Sequence, residues 1–167
     1  MKKILVILCA AAVLAGCGSK EAAPAETAPA ETQAAEIANP WSDAKDLAEA
    51  AEISGVPFEL QDQIGEYKVT GIRSMEGLTE IIYSDGKDEL RVRKGTGTED
   101  NSGDMNEYSE NSTELLAGAE IEYQRSGKDG LVNRVWWTDG TYAWSMTSLN
   151  GIEPADISAI MKIVYNS

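Results

Sequence analysis

The chain has 167 residues, of which 43% are hydrophobic and 25% charged, and this composition at this length predicts a single globular domain. Its formal net charge of −14 disfavours nucleic acid as a partner, because phosphates repel a strongly negative surface. The sequence contains no histidine, which excludes histidine-based zinc sites, histidine general bases and Ser-His-Asp catalysis.

The first residues carry the features of an export signal. Two lysines precede the apolar segment 4–13, which is too short to span a bilayer as a helix. The motif that follows, Leu14-Ala15-Gly16-Cys17, resembles the lipobox of bacterial lipoproteins. The resemblance implies cleavage after Gly16, acylation of the Cys17 thiol and anchoring at the extracytoplasmic face of a bacterial membrane. The alternative is an ordinary signal peptide in which Cys17 carries no lipid.

Residues 17–38 are predicted to be a lipidated cysteine followed by a disordered tether. The segment consists almost entirely of Ala, Glu, Pro, Thr, Ser, Gln and Gly, and residues 23–27 are repeated as residues 28–32. Such a sequence has no apolar face to bury, so it cannot recover the entropy lost on ordering. We therefore expect residues 1–16 to be a signal peptide and residues 39–167 to form one α+β domain held off the membrane.

A helix is predicted at the start of this domain. Asn39 suits an N-cap, Pro40 suits the first helical position, and Gly55 suits the residue that ends a helix. The apolar residues between them have the spacing of one helical face, which is expected to contribute to the core. They are Trp41, Ala44, Leu47, Ala48 and Ala51.

From residue 66 onward the apolar residues alternate, which is typical of strands. Gly71 indicates a bulge within the first strand. The polar, glycine-rich segment 95–111 is predicted to be a long loop. Six strands are expected, over residues 66–75, 78–83, 88–94, 119–125, 131–138 and 141–147.

Short turns between these strands predict antiparallel pairing. Asp-Gly pairs at residues 85–86 and 139–140 indicate two-residue hairpin turns. Turns of that length predict the cross-strand pairs Ile81–Leu90 and Val135–Trp144.

A second helix is predicted from Pro154, with Asp156 in its first turn. Its apolar stripe comprises Ile157, Ile160, Met161 and Val164. The fold class predicted is α+β: an antiparallel sheet of about six strands, with an N-terminal and a C-terminal helix packed on one face.

Trp136 and three arginines are the candidate ligand-binding residues. Alternation places Trp136 and Arg134 on the outer face of one hairpin, and Arg91 and Arg93 on the outer face of the other. Basic groups beside an aromatic ring could bind an anionic or ring-containing ligand, or a partner. The alternative is that the arginines pair across the sheet with carboxylates. These would be Glu80, Glu89, Glu120 and Glu122.

Two further motifs carry weak signals. Ser42-Asp-Ala-Lys45 matches the S-x-x-K motif of penicillin-recognising enzymes, but the partner motifs are missing. Segment 99–104 is rich in oxygen ligands but lacks EF-hand spacing, so a solvated acidic loop is expected rather than a calcium site. We predict no catalytic residue, no metal site and no cofactor.

The run from Val135 to Met146, with a helix after it, is similar to the end of uncharacterised extracytoplasmic domains of clostridial and related lipoproteins. The resemblance implies an α+β domain with an antiparallel sheet and brings no catalytic residues. The leading hypothesis is a membrane-anchored, non-enzymatic module that binds an unknown envelope ligand or protein. Two alternatives are a carboxylate-dependent hydrolase such as a glycosidase, which needs two acids across a cleft, and a purely structural envelope component.

Overall fold

The computed structural model describes residues 39–116, 118–119 and 121–167. The predicted lipobox with Cys17 and the tether that follows it lie outside the described residues, as does Glu120. Within the described part, two helices accompany a sheet that dominates the fold. The predicted α+β class is therefore confirmed.

Nine strands and two helices follow one another along the described residues. The strands are β1 (Ser42–Asp43), β2 (Gln63–Ile64), β3 (Tyr67–Met75), β4 (Leu78–Ser84), β5 (Glu89–Thr96), β6 (Glu110–Leu116), β7 (Ile121–Lys128), β8 (Leu131–Thr138) and β9 (Tyr142–Ile152). The helices are α1 (Leu47–Ser54) and α2 (Pro154–Tyr165).

The strands form one antiparallel sheet in the order β1-β3-β4-β5-β9-β8-β7-β6, with β2 also beside β3. Antiparallel pairing is confirmed, but the predicted number of about six strands is wrong, because β1, β2 and β6 were not expected. Strand β6 has the polar sequence ENSTELL, and Leu116 is its one buried residue. An edge strand this exposed carries no apolar alternation from which it could be predicted.

The first helix begins later than predicted. Ser42 and Asp43 form strand β1 instead of a helical turn, so Asn39 is not the N-cap. Asp46 caps α1, since its carboxylate accepts a hydrogen bond of 2.9 Å from the backbone N–H of Glu49. The helix ends at Gly55, whose φ of 72° is the left-handed conformation that favours glycine.

The Asp-Gly turns adopt two geometries. Asp129 and Gly130 have φ values of 57° and 80°, as a two-residue type I′ turn requires. The carboxylates of Asp85 and Asp139 instead each accept two backbone hydrogen bonds of 2.7–2.8 Å from within the turn. These side-chain caps stabilise longer turns, in which four residues separate the paired strand ends.

The longer turns correct the predicted registers. Ile81 lies opposite Val92 rather than Leu90, and Val135 lies opposite Met146 rather than Trp144. A shift of two residues leaves every side chain on its predicted face, since the period of a strand is two. The bulge predicted at Gly71 is confirmed, because the register of β3 and β4 shifts there.

One cluster of buried side chains lies on the helix side of the sheet. At its centre Trp137 and Trp144 stack with their ring planes 2° apart and their centroids 6.0 Å apart. Leu47 of α1 packs against this cluster. The predicted apolar stripe of α2 is confirmed as part of it: Ile157, Ile160, Met161 and Val164 are all buried.

Candidate functional site

The sheet face opposite this cluster, the outer face, carries a row of polar and aromatic side chains. Arg73, Glu80, Arg93, Ser145 and Trp136 occupy matching positions on β3, β4, β5, β9 and β8. Residues opposite one another on an antiparallel sheet project from the same face. The strand register therefore places these five residues side by side.

Arg91 and Arg134 lie in the adjacent row, one on each side of Thr147. The structure thus brings the four candidate residues, Arg91, Arg93, Arg134 and Trp136, onto one face. Four of the five arginines in the sequence lie there, because Arg73 joins the predicted three. The fifth, Arg125, is opposite the buried residue Val135 on the other face.

Glu80 is the centre of the arginine cluster. Its side chain is 0% exposed, and its two carboxylate oxygens accept hydrogen bonds of 2.6 Å from the Nε atoms of Arg73 and Arg93. A third guanidinium, that of Arg91, lies 3.7 Å from Glu80 and 2.8 Å from Glu89. When Glu89 is counted as well, three guanidinium groups and two carboxylates leave this cluster with a formal charge of +1.

The alternative expectation, that these arginines pair with carboxylates of the sheet, is met at Glu80 and Glu89. Glu122 takes part in none of the ion pairs among the described residues. Arg134 pairs instead with Asp100, whose carboxylate lies 3.7 Å from its Nε atom.

Trp41 covers one end of the arginine cluster. Its ring centroid lies 4.5 Å from the guanidinium carbon of Arg73 and 5.3 Å from that of Arg93, which is the geometry of a cation–π contact. The expected position of Trp41 on the core side of a helix is therefore wrong. The extended backbone at β1, paired with β3, carries the ring to the outer face instead.

The β5–β6 loop, residues 97–109, lies across the outer face. Nη1 of Arg93 donates to the backbone oxygen of Asn101 at 2.9 Å, and the amide of Asn101 donates to the backbone oxygen of Ala143 at 2.8 Å. Nη1 of Arg134 donates to the backbone oxygen of Asp104 at 2.8 Å. The expected solvated acidic loop is met at Glu99 and Asp100, which are exposed, while arginines of the sheet bind the backbone of the loop at Asn101 and Asp104.

Two side chains of this loop are electrostatically coupled. The Tyr108 hydroxyl donates a hydrogen bond of 2.6 Å to the Asp104 carboxylate. Burial opposes the charge on Asp104, but hydrogen bonds from Tyr108 and Asn106 outweigh it and hold the pKa of Asp104 below its ordinary value. Burial and the bond to Asp104 raise the pKa of Tyr108 to about 12. The tyrosine thus keeps its proton and remains a donor at neutral pH.

A cavity of about 300 Å³, the outer-face cavity, lies between this loop and strands β5 and β9. Arg91 and Arg93 line one side, and Asp104 and Tyr108 line the loop side. Thr147, Ser148 and Leu149 of β9 complete the sheet side of the wall. Paired guanidinium groups beside several hydroxyls can bind a polar molecule that carries a carboxylate or phosphate.

The sequence identified only part of this cavity. Arg91 and Arg93 line it, whereas Arg134 acts from its rim by holding the loop, and Trp136 is not a lining residue. Asp104 and Tyr108 were missed because nothing local in a polar loop shows where it will lie. Thr147 was predictable, since alternation along β9 puts it on the same face as Ser145.

Comparison of the chain with known protein families, curated proteins and solved structures found no match. Among the described residues, neither helix is long and apolar enough to cross a membrane.

Proposed function

We propose that this chain is a lipid-anchored binding module on the extracytoplasmic face of a bacterial membrane, and that the outer-face cavity is its ligand site. The observation that carries the proposed site is the position of Arg91, whose guanidinium faces the cavity with a side chain that is 38% exposed. Arg93 is only 13% exposed, because its Nε binds Glu80 at 2.6 Å, and it therefore forms a fixed part of the wall beside Arg91.

The ligand proposed is a small polar molecule bearing one carboxylate or phosphate. Its anionic group would bind the guanidinium of Arg91 and would compete there with Glu89, which accepts a hydrogen bond of 2.8 Å from Nη2. The hydroxyl of Thr147 would donate to one of its remaining oxygens, whereas the hydroxyl protons of Tyr108 and Ser148 are already donated to Asp104 and Asp88. The carboxylates of Glu89 on the sheet side and Asp104 on the loop side would accept from its hydroxyl or amino groups.

A carboxylate-dependent hydrolase is less well supported. Such an enzyme needs two acids flanking one bond, about 5–10 Å apart. Among the described residues Glu80 is the one buried carboxylate, and its oxygens are already occupied by Arg73 and Arg93. A purely structural envelope component is the remaining alternative, and it is distinguished by showing no saturable ligand.

Thermal unfolding tests the ligand class. Phosphate and glucuronate should each raise the melting temperature of the protein, and neutral glucose at the same concentration should not, because a ligand stabilises only the state that binds it. Arg91→Gln should abolish the shift, and Arg125→Gln, which removes an arginine from the opposite face, should retain it. Equal shifts in both variants, or none with either anion, would count against the proposed site.

Membrane anchoring needs a separate experiment. The lipobox interpretation predicts that the chain is labelled by palmitate in a bacterial host and sediments with membranes, since two or more acyl chains give stable attachment. Cys17→Ser should abolish labelling. Finding the intact chain in the cytosol with residues 1–16 still present would contradict the proposed compartment.

A further inference from the structure

A second cavity, of about 530 Å³, lies between the β2–β3 turn and helix α2. Its floor is apolar, since Ile64, Ile152 and Ile160 line it and are at most 7% exposed. The partly buried ring of Tyr67 forms part of the wall. Small-molecule sites are typically cavities of about 300–1,000 Å³ with mostly apolar walls and a few convergent polar groups.

Four carboxylates from three separate segments converge on this cavity: Glu66, Asp85, Glu153 and Asp156. No lysine or arginine is among the described residues that line it. None of the four carboxylates takes part in an ion pair within the described part of the chain. The cavity therefore combines an apolar floor with a rim of carboxylates that form no ion pair among the described residues.

Local structure accounts for two of these acids but not for the others. Asp85 caps its turn, and Asp156 lies in the first turn of α2, where a negative charge is favourable. Glu153 precedes α2 but makes no side-chain capping bond. Glu66 follows a two-residue strand and is exposed. The convergence of Glu66 and Glu153 on the same cavity is thus not a by-product of capping.

Tyr67 lies within the field of these groups. Burial raises the pKa of its phenol, and the charges of Asp88, Asp85, Asp156 and Glu66 raise it further. An aromatic ring in a negative field attracts a cation, because the ring face and the carboxylates both favour positive charge. The apolar floor beside it favours a cation that has a hydrocarbon body.

We infer that this cavity binds a small organic amine, with its ammonium group at the carboxylate rim and its hydrocarbon body on the isoleucine floor. Among the described residues no three carboxylates are grouped closely enough to hold a metal ion. The site is distinct from the outer-face cavity, and its occupation does not depend on the function proposed above.

Calorimetric titration of the full chain with hexylammonium and ethylammonium chloride tests both parts of the inference. Hexylammonium should bind about tenfold more tightly or better, since each buried methylene adds to affinity. The double substitution Glu66→Gln and Glu153→Gln should weaken hexylammonium binding about fivefold, as expected for two solvent-accessible charge contacts. Both substituted residues are exposed, and circular dichroism of the double variant can check that its fold is unaltered.

The matched control removes two exposed carboxylates outside the cavity, by Glu107→Gln and Glu122→Gln. It changes the net charge equally and should leave hexylammonium binding within about twofold, because distant charges are screened by salt. Equal affinity for the two ammonium ions would overturn the apolar floor as a contact. If both double variants lost hexylammonium affinity equally, the loss would be explained by net charge alone, and the proposed site would be overturned.

Discussion

Nε of Arg93 lies 2.6 Å from Oε2 of Glu80 on the neighbouring strand, while the other oxygen of Glu80 is bound by Arg73. Because Glu80 is 0% exposed, guanidinium groups rather than water stabilise its charge. Glu80→Gln should lower the free energy of unfolding by about 3 kcal/mol, since breaking a buried pair leaves the remaining charges uncompensated. Urea unfolding followed by tryptophan fluorescence measures this change.

Glu89→Gln is the matched control for that prediction. Glu89 also pairs with an arginine of the outer face, at 2.8 Å, but its side chain is 53% exposed. Its substitution should lower the free energy of unfolding by less than about 1 kcal/mol, because exposed ion pairs contribute little to stability. Losses of similar size in the two variants would contradict the argument that the burial of Glu80 makes its pairing important.

Arg134 is expected to hold the β5–β6 loop against the outer face. Its guanidinium donates to the backbone oxygen of Asp104 at 2.8 Å and lies 5.6 Å from the centroid of the Tyr108 ring. Arg134→Gln should speed amide hydrogen exchange in residues 98–109 about tenfold, which corresponds to the loss of one charged hydrogen bond. Arg125→Gln should leave exchange in this loop unchanged. Unaltered exchange in the Arg134 variant would show that other contacts hold the loop.

Burial raises the pKa of four tyrosines, Tyr67, Tyr83, Tyr108 and Tyr123, and this makes stability sensitive to alkaline pH. Burial and then a hydrogen bond to Glu114 raise the pKa of Tyr123 to about 12, and burial with Asp104 raises the pKa of Tyr108 to about 12. In the unfolded chain tyrosine titrates near 10.0. The folded state therefore holds these protons more tightly. This contribution to stability is complete below about pH 10 and is lost as the pH rises through about 12.

Unfolding measured at a series of alkaline pH values checks the direction of this pH dependence. The free energy of unfolding of the wild-type protein should fall as the pH rises above about 10. Tyr123→Phe removes one of these tyrosines, so the free energy of unfolding of the variant should fall less steeply over the same range. Parallel curves for the two proteins would mean that Tyr123 does not retain its proton in the folded state.

Lys94 is expected to have the opposite effect on the pH dependence of stability. Its ammonium lies 5.0 Å from the ring centroid of Tyr142, 5.3 Å from that of Trp144 and 5.6 Å from that of Phe58. Burial lowers its pKa, so the folded state holds this proton less tightly than the unfolded chain. Its contribution to stability therefore increases as the pH rises from the lowered pKa to the ordinary value of 10.5.

Lys94→Met tests this interpretation, since it keeps the length of the side chain and removes the charge. The variant should be the more stable protein at neutral pH, and its advantage should shrink as the pH rises from the lowered pKa of the folded wild-type amine to the ordinary value of 10.5 in the unfolded chain. Chemical unfolding at several pH values provides the comparison. A constant difference between the two proteins would contradict a lowered pKa for Lys94.

The outer face was predictable because alternation does not depend on register. Arg91, Arg93 and Arg134 share a face under either turn length, since a two-residue shift moves no side chain through the sheet. The individual pairs were not predictable in the same way. Asp85 and Asp139 stabilise longer turns through their carboxylates, and an Asp-Gly pair in the sequence fits either turn geometry.

The parts of the site that were missed depend on contacts between distant segments. Trp41 has helical spacing with Leu47, yet pairing of β1 with β3 outweighs that local pattern. The β5–β6 loop is polar throughout, and it is placed by Asn101 and by arginines far away in the sequence. Local secondary-structure propensity cannot predict such contacts, because they form only when the sheet is complete.

The most direct test of the proposed binding function is calorimetric titration of glucuronate into the wild-type protein, Arg91→Gln and Arg125→Gln. The proposed site requires saturable binding to the wild-type protein and a loss of about tenfold in the Arg91 variant, since a hydrogen bond to a charged group contributes about 1.5 kcal/mol. The Arg125 variant should bind as the wild-type protein does. Saturable binding that survives Arg91→Gln unchanged would contradict the assignment of the outer-face cavity as the ligand site.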